Sequence, residues 1–590
     1  MTNNSKTPRF DQALKEYWKG IELDEQGGLW RNCKVSGLAF YIRPGDVAFY
    51  KKIGVPLPVM NVEERWRLML SFDNSYNLYH GKSALTGKPL ITQYPPGFPS
   101  TIYEHTEWHS DRFNPFAYGR PYVSGEDFFT HYAKLQLETP RPNLIVDSSN
   151  INSDYTNETS YLKNCYLCFY CFGSENLQYV DGSYNTRDSM DGFSMVNCEL
   201  CYMTHQANDC WKCSFAEYSR DCRECYFIFD CRNCSNCFMS SNLRNKDYYF
   251  RNEQLTKEEY HRRLEGVYLG NYDALHRYRE EYKELKRRVI RRPARIDKCV
   301  NCWGEDLRNS KDCYRTMWAD NSINVNYSLS CSDARDCSFI VGGGPGGSTS
   351  ELNYCSAMLD GANQNVRFSL YAKDSRDLEY CDSCKNSVNC FGCYGLTNAK
   401  FCILNTQYDE EEYWQLIDVI KTDMLSAGTY GEFFPMSLSL YPYNLTLPVN
   451  YPGFTDLEEA RRYGYRVEEV PEPQSDVGAN VIKNHDLPLD IKDVGDNILR
   501  VVIEDTENKK FFRITAAELE FYRKFSWPLP RKHPLKRLED WRTDEGNTSL
   551  RLEAHERTCP ICAVKFQTPY LPNQFPDRVY CEKCYQENLT

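Results

Sequence analysis

A short motif, Asn or Asp followed by Cys-x-x-Cys, recurs at a fixed interval and limits the folds open to this chain. Its clearest run begins at residue 197 and repeats at intervals of twelve residues. The Asn or Asp positions of the first block are Asn152, Asn164, Asn176, Asp188, Asn197, Asp209, Asp221, Asn233 and Asn245, with one step of nine after Asp188. Those of the second block are Asn301, Asp312, Asn324, Asp336, Asn353, Asn365, Asp377 and Asn389. Much of the sequence therefore consists of two arrays of one short unit.

Twelve residues are too few for a helix pair or a propeller blade, but they suit one coil of a β-solenoid. Each coil would contain about two or three short strands joined at tight corners and stacked roughly 4.8 Å apart. Asn and Asp suit such corners because they tolerate left-handed backbone and bond to it locally. We predict a mainly β fold with some α-helix: two tandem β-solenoid blocks, each capped by helices, flanked by duplicated zinc-ribbon-like terminal modules.

The 28 cysteines raise the question of metal binding, disulfide formation or packing. The residue after each corner is Cys in most repeats, but it is Leu177, Ser189, Val325, Val366 and Leu378 in others. A metal ligand cannot be replaced by Leu or Val without loss of its site, whereas a small buried core residue can. We therefore predict a packing ladder of cysteines inside each block. Metal bound by some coils and thiol redox chemistry remain alternatives, and disulfides are not expected in a reducing compartment.

Each block is followed by a sequence typical of a helix start. Thr256 and Glu259 form a capping-box pattern after the first block, and Asp409 opens an acidic first turn after the second. A helix at this place would cover the unpaired edge of the last coil. The first of these helices is expected to continue toward residue 289. Within the second block, GGGPGG at residues 342–347 has no following Lys-Ser/Thr, so we predict a flexible loop rather than a phosphate-binding loop.

A cluster of basic residues lies at the end of the predicted long helix. It consists of Lys286, Arg287, Arg288, Arg291, Arg292 and Arg295, with no acidic residue among them. Positive charges suit the C-terminal end of a helix, so a solvated helix end is one interpretation. Contact with the phosphates of RNA or another polyanion is the other.

The two ends of the chain are related. FYKKIGVPLP, from Phe49, aligns without gaps with FYRKFSWPLP, from Phe521. After the second copy stand two Cys-x-x-Cys pairs, formed by Cys559, Cys562, Cys581 and Cys584. This spacing is typical of a zinc ribbon with four thiolate ligands and no open position, so we predict one structural zinc ion there. The first copy has Ser83, Thr86, Glu104 and Glu107 at about these positions, which predicts a ribbon-like shape without the metal.

From about Cys33 onward the chain resembles uncharacterised cysteine-rich repeat proteins of candidate-phyla-radiation bacteria. The resemblance is carried by NCFGCYGLTNAKFCILNTQYDEEEYWQLI, GEFFPMSLSLYPYN, the FYRKFSWPLP module and the final cysteine pairs. It implies terminal zinc-ribbon-like modules around Cys-rich repeats, for which no activity is established. The N-terminal module departs from that pattern, because only Cys33 of the expected knuckle cysteines is present.

These features predict six segments in the chain. They are an N-terminal module at 1–145, the first block at 146–250, a helical cap at 251–298, the second block at 299–405, a helical cap with an irregular segment at 406–475, and a C-terminal module at 476–590.

Charge and motif content narrow the functional classes. The net charge is −12, so the protein as a whole does not attract nucleic acid. No secretory signal and no run of about 18 apolar residues is present, and we expect a cytoplasmic protein. No hydrolase elbow, phosphate loop or dinucleotide fingerprint occurs, so no catalytic residue is assigned. We predict a non-enzymatic binding or scaffold protein that docks a protein or a ribonucleoprotein. The alternatives are a metal-handling or thiol-redox protein and a self-assembling structural protein.

Overall fold

The computed structural model describes residues 5–342, 350–469, 480–544, 547–548, 551 and 553–589. Helix and strand contribute similar shares, about 26% and 28%, so the chain is mixed α/β rather than mainly β. It forms two compact units: unit 1 consists of residues 1–144 and 294–469, and unit 2 of residues 145–293 and 470–590. The N-terminal module therefore belongs with the second block, and the C-terminal module with the first block.

The first repeat block forms a nine-stranded sheet in unit 2, with its strands in chain order. Neighbouring strands are parallel and twelve residues apart, as in the pair Phe169↔Asp181, until the last strand, which pairs antiparallel. The strands are Phe169–Phe172, Asp181–Tyr184, Phe193–Val196, His205–Asn208, Ser214–Glu217, Tyr226–Phe229, Ser235–Ser241, Asp247–Phe250 and Glu253–Gln254. The twelve-residue repeat of the sequence is thus the register between neighbouring strands.

The second block forms a twelve-stranded sheet of the same kind in unit 1. Its register is eleven residues at Ile296↔Leu307, thirteen at Glu351↔Gln364 and twelve from Gln364↔Arg376 to Val388↔Lys400, after which the last strand pairs antiparallel. The strands are Ile296–Asp297, Trp303–Arg308, Tyr314–Asp320, Ile323–Asn326, Ala334–Val341, Ser350–Glu351, Tyr354–Ala357, Gln364–Arg367, Arg376–Glu379, Val388–Phe391, Lys400–Ile403 and Thr406–Gln407. The loop predicted over residues 342–347 lies, after Gly342, outside the described residues.

The backbone of both blocks turns at almost every third residue. Asn164, Leu167 and Tyr170, for example, have φ values of 54°, 52° and 52°, in the left-handed region that L-residues usually avoid. A twelve-residue repeat therefore has four corners and four three-residue sides, whereas the sequence predicted two or three strands. Each left-handed residue costs on the order of 1 kcal/mol. Hydrogen bonds between coils, such as Asn164 N to Ile151 O at 3.0 Å, offset this cost.

Side chains at the corners bond to one another from coil to coil. Asn164 Nδ2 donates to Asn176 Oδ1 at 3.1 Å, and Asn197 Nδ2 donates to Asp209 Oδ1 at 3.0 Å. The strands on either side of Asp188 keep their twelve-residue register. The step of nine in the sequence is therefore not a shorter repeat. Asp188 and Asn197 occupy different corners of coils that are both twelve residues long.

The predicted helix starts after both blocks are confirmed. Thr256 caps the helix Lys257–Glu265, and its side chain accepts a hydrogen bond from Glu259 N at 3.2 Å. Asp409 caps the helix Glu410–Ser426 in the same way.

The first of these helices does not continue as one long helix. Lys257–Glu265 ends at Gly266, and a separate helix, Tyr272–Arg288, begins after its cap residue Asn271. Gly266 and Gly270 lie between the two, and glycine costs about 1 kcal/mol relative to alanine inside a helix.

The terminal modules supply the remaining elements, apart from the helix Leu457–Arg462 of the segment 406–475. Unit 1 also contains the helices Pro8–Lys19, Pro44–Ile53, Val62–Leu70, His105–Trp108, Phe128–Glu138 and Leu457–Arg462 and the strands Leu29–Asn32, Ala39–Ile42, Tyr79–Lys82, Pro89–Thr92, Ile102–Tyr103 and Arg141–Pro142. Unit 2 also contains the helices Ala516–Phe525, Pro534–Thr543 and Glu582–Glu587 and the strands Val481–Lys483, Val502–Asp505, Lys510–Phe512, His555–Thr558 and Lys565–Thr568. Short 3₁₀ turns connect several of them.

In each unit a buried arginine joins the terminal module to the repeat block. In unit 1, Arg65 Nη2 donates to Tyr354 OH at 2.7 Å, and its guanidinium lies 3.5 Å from the ring centre of Phe339. In unit 2, Arg537 Nε lies 3.1 Å from Asp191 Oδ1. The two arginines stand at the same distance from the FY-x-K motif of their module. The two modules therefore dock on their blocks through equivalent positions.

Candidate metal centre

The four cysteines predicted as metal ligands, Cys559, Cys562, Cys581 and Cys584, come together in unit 2. The first two lie in the turn between the strands His555–Thr558 and Lys565–Thr568, and the other two at the start of the helix Glu582–Glu587. Their Sγ atoms all lie within 4.8 Å of one another. Four thiolates in this arrangement can hold a tetrahedral metal ion and leave no coordination position for a substrate.

Backbone hydrogen bonds shape the turn that carries Cys559. Cys559 N donates to Val564 O, and Ala563 N donates to Cys559 O, both at 2.9 Å. Cys581 N donates to the Sγ of Cys559 at 3.5 Å. Burial raises the pKa of the Cys559 thiol, but the backbone N–H of Cys581, followed by those of Cys562 and Ile561, outweighs it and lowers the pKa to about 6. The turn thus favours the thiolate form that a metal ion needs.

The helix that carries Cys584 is fixed to the first repeat block within unit 2. Tyr585 donates its hydroxyl to Asp230 and accepts a hydrogen bond from Arg244 Nη2 at 2.6 Å. Arg292 Nη2 lies 2.9 Å from Glu582 Oε1 on the same helix. The cysteine centre therefore joins the end of the chain to the block.

The same arrangement of hairpin and helix occurs three more times in the described residues, at 29–70, 79–108 and 502–543. The turn of each hairpin contains a left-handed residue, namely Gly37, Gly87, Lys509 and Ala563. The equivalent helix of each copy is capped by Asn61, Glu104, His533 and Cys581. In the first and third copies a further helix, Pro44–Ile53 or Ala516–Phe525, stands between the hairpin and this helix. The positions equivalent to the four cysteines are Cys33, Ser36, Asn61 and Glu64 in the first copy, Ser83, Thr86, Glu104 and Glu107 in the second, and Asp505, Asn508, His533 and Lys536 in the third.

Hydrogen bonds join the equivalent positions in the second copy. Ser83 Oγ donates to Glu107 Oε2 at 2.5 Å, and Thr86 Oγ1 donates to Glu107 Oε1 at 2.7 Å. The hydroxyl of Ser83, followed by that of Thr86, holds the pKa of the Glu107 carboxyl below its usual value. One carboxylate bridges the two hairpin side chains, as a metal ion bridges thiolates in a ribbon.

In the third copy an aspartate joins the equivalent positions. The pattern of cysteine pairs in the sequence does not reveal this copy. Asp505 Oδ2 accepts from Asn508 Nδ2 at 2.8 Å and from His533 N at 2.9 Å. The signal that could have found it is the FY-x-K alignment, since Cys33 and Asp505 lie at the same distance before that motif. The cysteine pairs stand on the other side of the motif, toward the C-terminus, and so do not point to this copy.

His533 gives a prediction for acid stability. Burial, with Lys510 and Arg537 nearby, lowers its pKa to about 4, although Asp505 opposes this. The unfolded chain binds a proton near pH 6.5, so the folding free energy that depends on neutral His533 is lost as the pH falls from about 6.5 to 4. We expect a loss on the order of 2 kcal/mol in that window.

The substitution His533→Asn should remove most of this loss, because Asn61 caps the equivalent helix in unit 1. The measurement is the free energy of unfolding of unit 2 in urea at pH 6.5 and at pH 4.5, with hydrogen exchange as the probe that reports on this unit. An equal loss in the variant and the natural protein would contradict the assignment.

The six basic residues considered for polyanion binding do not form one exposed surface. Lys286 is largely buried, and its Nζ lies 3.0 Å from Glu217 Oε1. Arg291 is 2% exposed, and its guanidinium lies 3.8 Å from the ring centre of Phe575. Arg292 is paired with Glu582, and in unit 1 Arg295 is paired with Glu305 and Asp306. These four cations hold the fold together.

Arg287 and Arg288 are the exposed members of the cluster, with 63% and 77% of their side chains accessible. Both face Glu284, one turn earlier in the helix Tyr272–Arg288. Two cations that share a carboxylate make a much weaker polyanion site than six free ones would.

The interior cysteines of the blocks bond to the backbone. Where the interior residue twelve positions earlier is Ser or Cys, its side chain can accept the backbone N–H of the next coil, as Ser219 Oγ accepts from Cys231 N at 3.2 Å. Cys165 accepts the N–H of Leu177 in the same way, and its own thiol donates to Lys163 O at 3.4 Å. A small side chain that both donates and accepts is therefore favoured inside the block, and Cys and Ser both meet this need.

The Cys-x-x-Cys spacing thus has two meanings in one chain. In the blocks it is the distance between successive left-handed corners, and in the hairpin of Cys559 it belongs to a turn that could hold a metal ion. Within the described residues, Cys559 and its three partners are the one group of three or more ligand atoms that lie within 4.8 Å of one another. Asn353, predicted at a corner, is fully buried inside the second block, and its Oδ1 accepts from Val366 N at 2.9 Å.

Comparison with models of known protein families and with curated protein sequences finds no match. In the part of the chain that the structure describes, no helix is both long enough and apolar enough to span a bilayer. Function must therefore be inferred from the geometry of the molecule.

Proposed function

We propose that the two repeat blocks are β-solenoids with four-sided coils and that the cysteine centre is a zinc ribbon holding one structural Zn²⁺. The twelve-residue parallel register and the regular corners support the first statement. The four converging thiols support the second, because zinc is the usual ion of a closed four-thiolate site. Membership of the candidate-phyla-radiation family stays a prediction.

We further propose that the protein is a non-enzymatic, cytoplasmic scaffold that docks a protein partner through the metal-bearing hairpin. The observation that carries this is the exposure of Ile561 and Val564, which are 57% and 55% accessible beside the exposed Cys562. Leu571, 44% accessible, follows the same hairpin. Apolar side chains on a turn fixed by a metal ion lose little conformational entropy on binding, so they suit a docking surface.

The charge at this hairpin favours a protein over a nucleic acid. Lys565, next to Val564, is paired with Glu556 at 2.8 Å. Half of the cluster that includes Lys286 is engaged in ion pairs inside the fold, and Arg291 is buried. An apolar patch with neutralised charges around it is typical of the centre of a protein–protein interface.

The test is the double substitution Ile561→Ser with Val564→Ser in the full-length protein. We expect zinc content to be unchanged and the recovery of one specific cross-linked partner from native cells to fall by about tenfold or more, since apolar anchors dominate such interfaces. The matched control is Ile151→Ser, an apolar residue of unit 2 that is 62% exposed away from the hairpin. It should leave recovery unchanged.

Equal recovery by the double variant and the natural protein would contradict the proposal. Recovery of RNA that falls steeply with salt and is weakened by Arg287→Ser with Arg288→Ser would favour a ribonucleoprotein instead. Recovery of a second copy of the chain would favour self-assembly. The metal-handling alternative gains no further ligand group from the described residues.

A further inference from the structure

The first coil of the second block differs from the rest of the cysteine ladder. Cys299 and Cys302 are half-buried there, whereas every other cysteine of the two blocks is buried. A thiol inside a block is covered by a coil on each side, but a thiol of the first coil has a neighbouring coil on one side only. Val300, between the two, is 62% exposed.

Cys299 and Cys302 lie three residues apart on one side of the first coil, and their thiols interact with each other. Cys302, whose Sγ donates to Val300 O at 3.4 Å, also interacts with the thiol of Cys313 in the next coil. Cys299 Sγ donates to Asp297 O at 3.2 Å and accepts from Ser310 N at 3.4 Å, which holds it toward the interior of the block.

Metal binding is not the chemistry that this group favours. In the described residues, three or more ligand atoms come within 4.8 Å of one another at the centre of Cys559 and nowhere else. Cys299, Cys302 and the buried Cys313 are not such a group, and two accessible thiols near each other are suited to disulfide formation.

We propose that Cys299 and Cys302 are an oxidisable dithiol that hydrogen peroxide converts to an intramolecular disulfide. The sulfur of Cys302 attacks one peroxide oxygen, the O–O bond breaks, and one water leaves, which produces a sulfenic acid. The sulfur of Cys299 then attacks the Cys302 sulfur, the S–S bond forms, and the hydroxyl leaves as a second water with the thiol proton. The two thiols supply the two electrons that reduce the peroxide.

The order of attack follows from the surroundings of the two thiols. Burial raises the pKa of the Cys299 thiol, so little of it is thiolate, and its bonds to Asp297 O and Ser310 N hold its sulfur toward the interior. Cys302 is therefore the residue that meets the oxidant first. This dithiol is independent of the docking hairpin, so its test does not depend on the proposed function.

The experiment treats native, zinc-loaded, full-length protein with hydrogen peroxide, blocks the free thiols, and analyses tryptic peptides by mass spectrometry. The peptide spanning 299–308 contains both cysteines, and disulfide formation removes two hydrogens from it. The matched control is the peptide spanning 377–385, which contains Cys381 and Cys384 at the same spacing but buried inside the block.

We expect the 299–308 peptide to oxidise at least tenfold faster than the 377–385 peptide, with the difference disappearing after unfolding. Cys302→Ser should abolish the product without unfolding the block, because Ser310 and Ser322 occupy interior positions of the adjoining coils. Equal rates for the two peptides in the native protein, or a product formed only between chains, would overturn the proposal.

Discussion

About one zinc ion per chain is expected when the protein is purified under reducing conditions and its metal content is measured by elemental analysis. The variant Cys559→Ser with Cys581→Ser should contain none, because it removes a ligand from the hairpin and one from the helix. Structural zinc contributes on the order of 10 kcal/mol to small zinc-binding domains. We therefore expect the hairpin and the helix Glu582–Glu587 to lose hydrogen-exchange protection in this variant.

The control for this prediction changes a Cys-x-x-Cys pair that lies inside a repeat block rather than in the hairpin of Cys559. Cys210→Ser with Cys213→Ser changes a Cys-x-x-Cys pair inside the first block, where serine occurs naturally at equivalent positions such as Ser189. That variant should keep its zinc and its fold. Three or more metal ions per chain, or loss of metal from the control variant, would instead place the metal in the ladder.

The second prediction is that a substitution in the N-terminal module destabilises the second repeat block. Trp66 is 1% exposed in the N-terminal module, and its Nε1 donates to Tyr327 O of the second block at 2.9 Å. Trp66→Ala should cost about 3–5 kcal/mol, as expected for a buried aromatic side chain. The loss of amide protection, roughly a hundredfold or more, should fall on the second block rather than on the first, which follows the module in the sequence.

The reciprocal variant is Trp527→Ala in the C-terminal module. Trp527 is 2% exposed, and its ring lies 5.1 Å from that of Tyr202 in the first block. This variant should weaken protection in the first block and spare the second. Hydrogen exchange with peptide resolution on both full-length variants measures the crossed pattern, and an effect confined to the block adjacent in sequence would refute the division into units.

Several features of the protein depend on residues close together in the chain, and the sequence alone predicts them. The twelve-residue period appears because neighbouring parallel strands pair at a register of twelve, so each position meets its equivalent twelve residues later. The helix starts at Thr256 and Asp409 are predictable because capping depends on residues three apart. The Cys-x-x-Cys spacing of Cys559 and Cys562, which predicts a metal site, is local for the same reason. The four-sided coil, which the sequence analysis did not predict, is also a local feature, since its side length equals the three-residue spacing of Cys-x-x-Cys.

The tertiary structure alone decided the rest. The pairing of the N-terminal module with the second block depends on contacts such as Arg65 with Tyr354, nearly 300 residues apart, and no periodicity records such a partner. The burial of Arg291 and the pairing of Lys286 with Glu217 likewise turned an apparent basic patch into structural contacts. A sequence shows which side chains are apolar or charged. Which surface covers them is decided by the shape and charge of segments that folding brings together, because burial and ion pairing act over distance in space rather than along the chain.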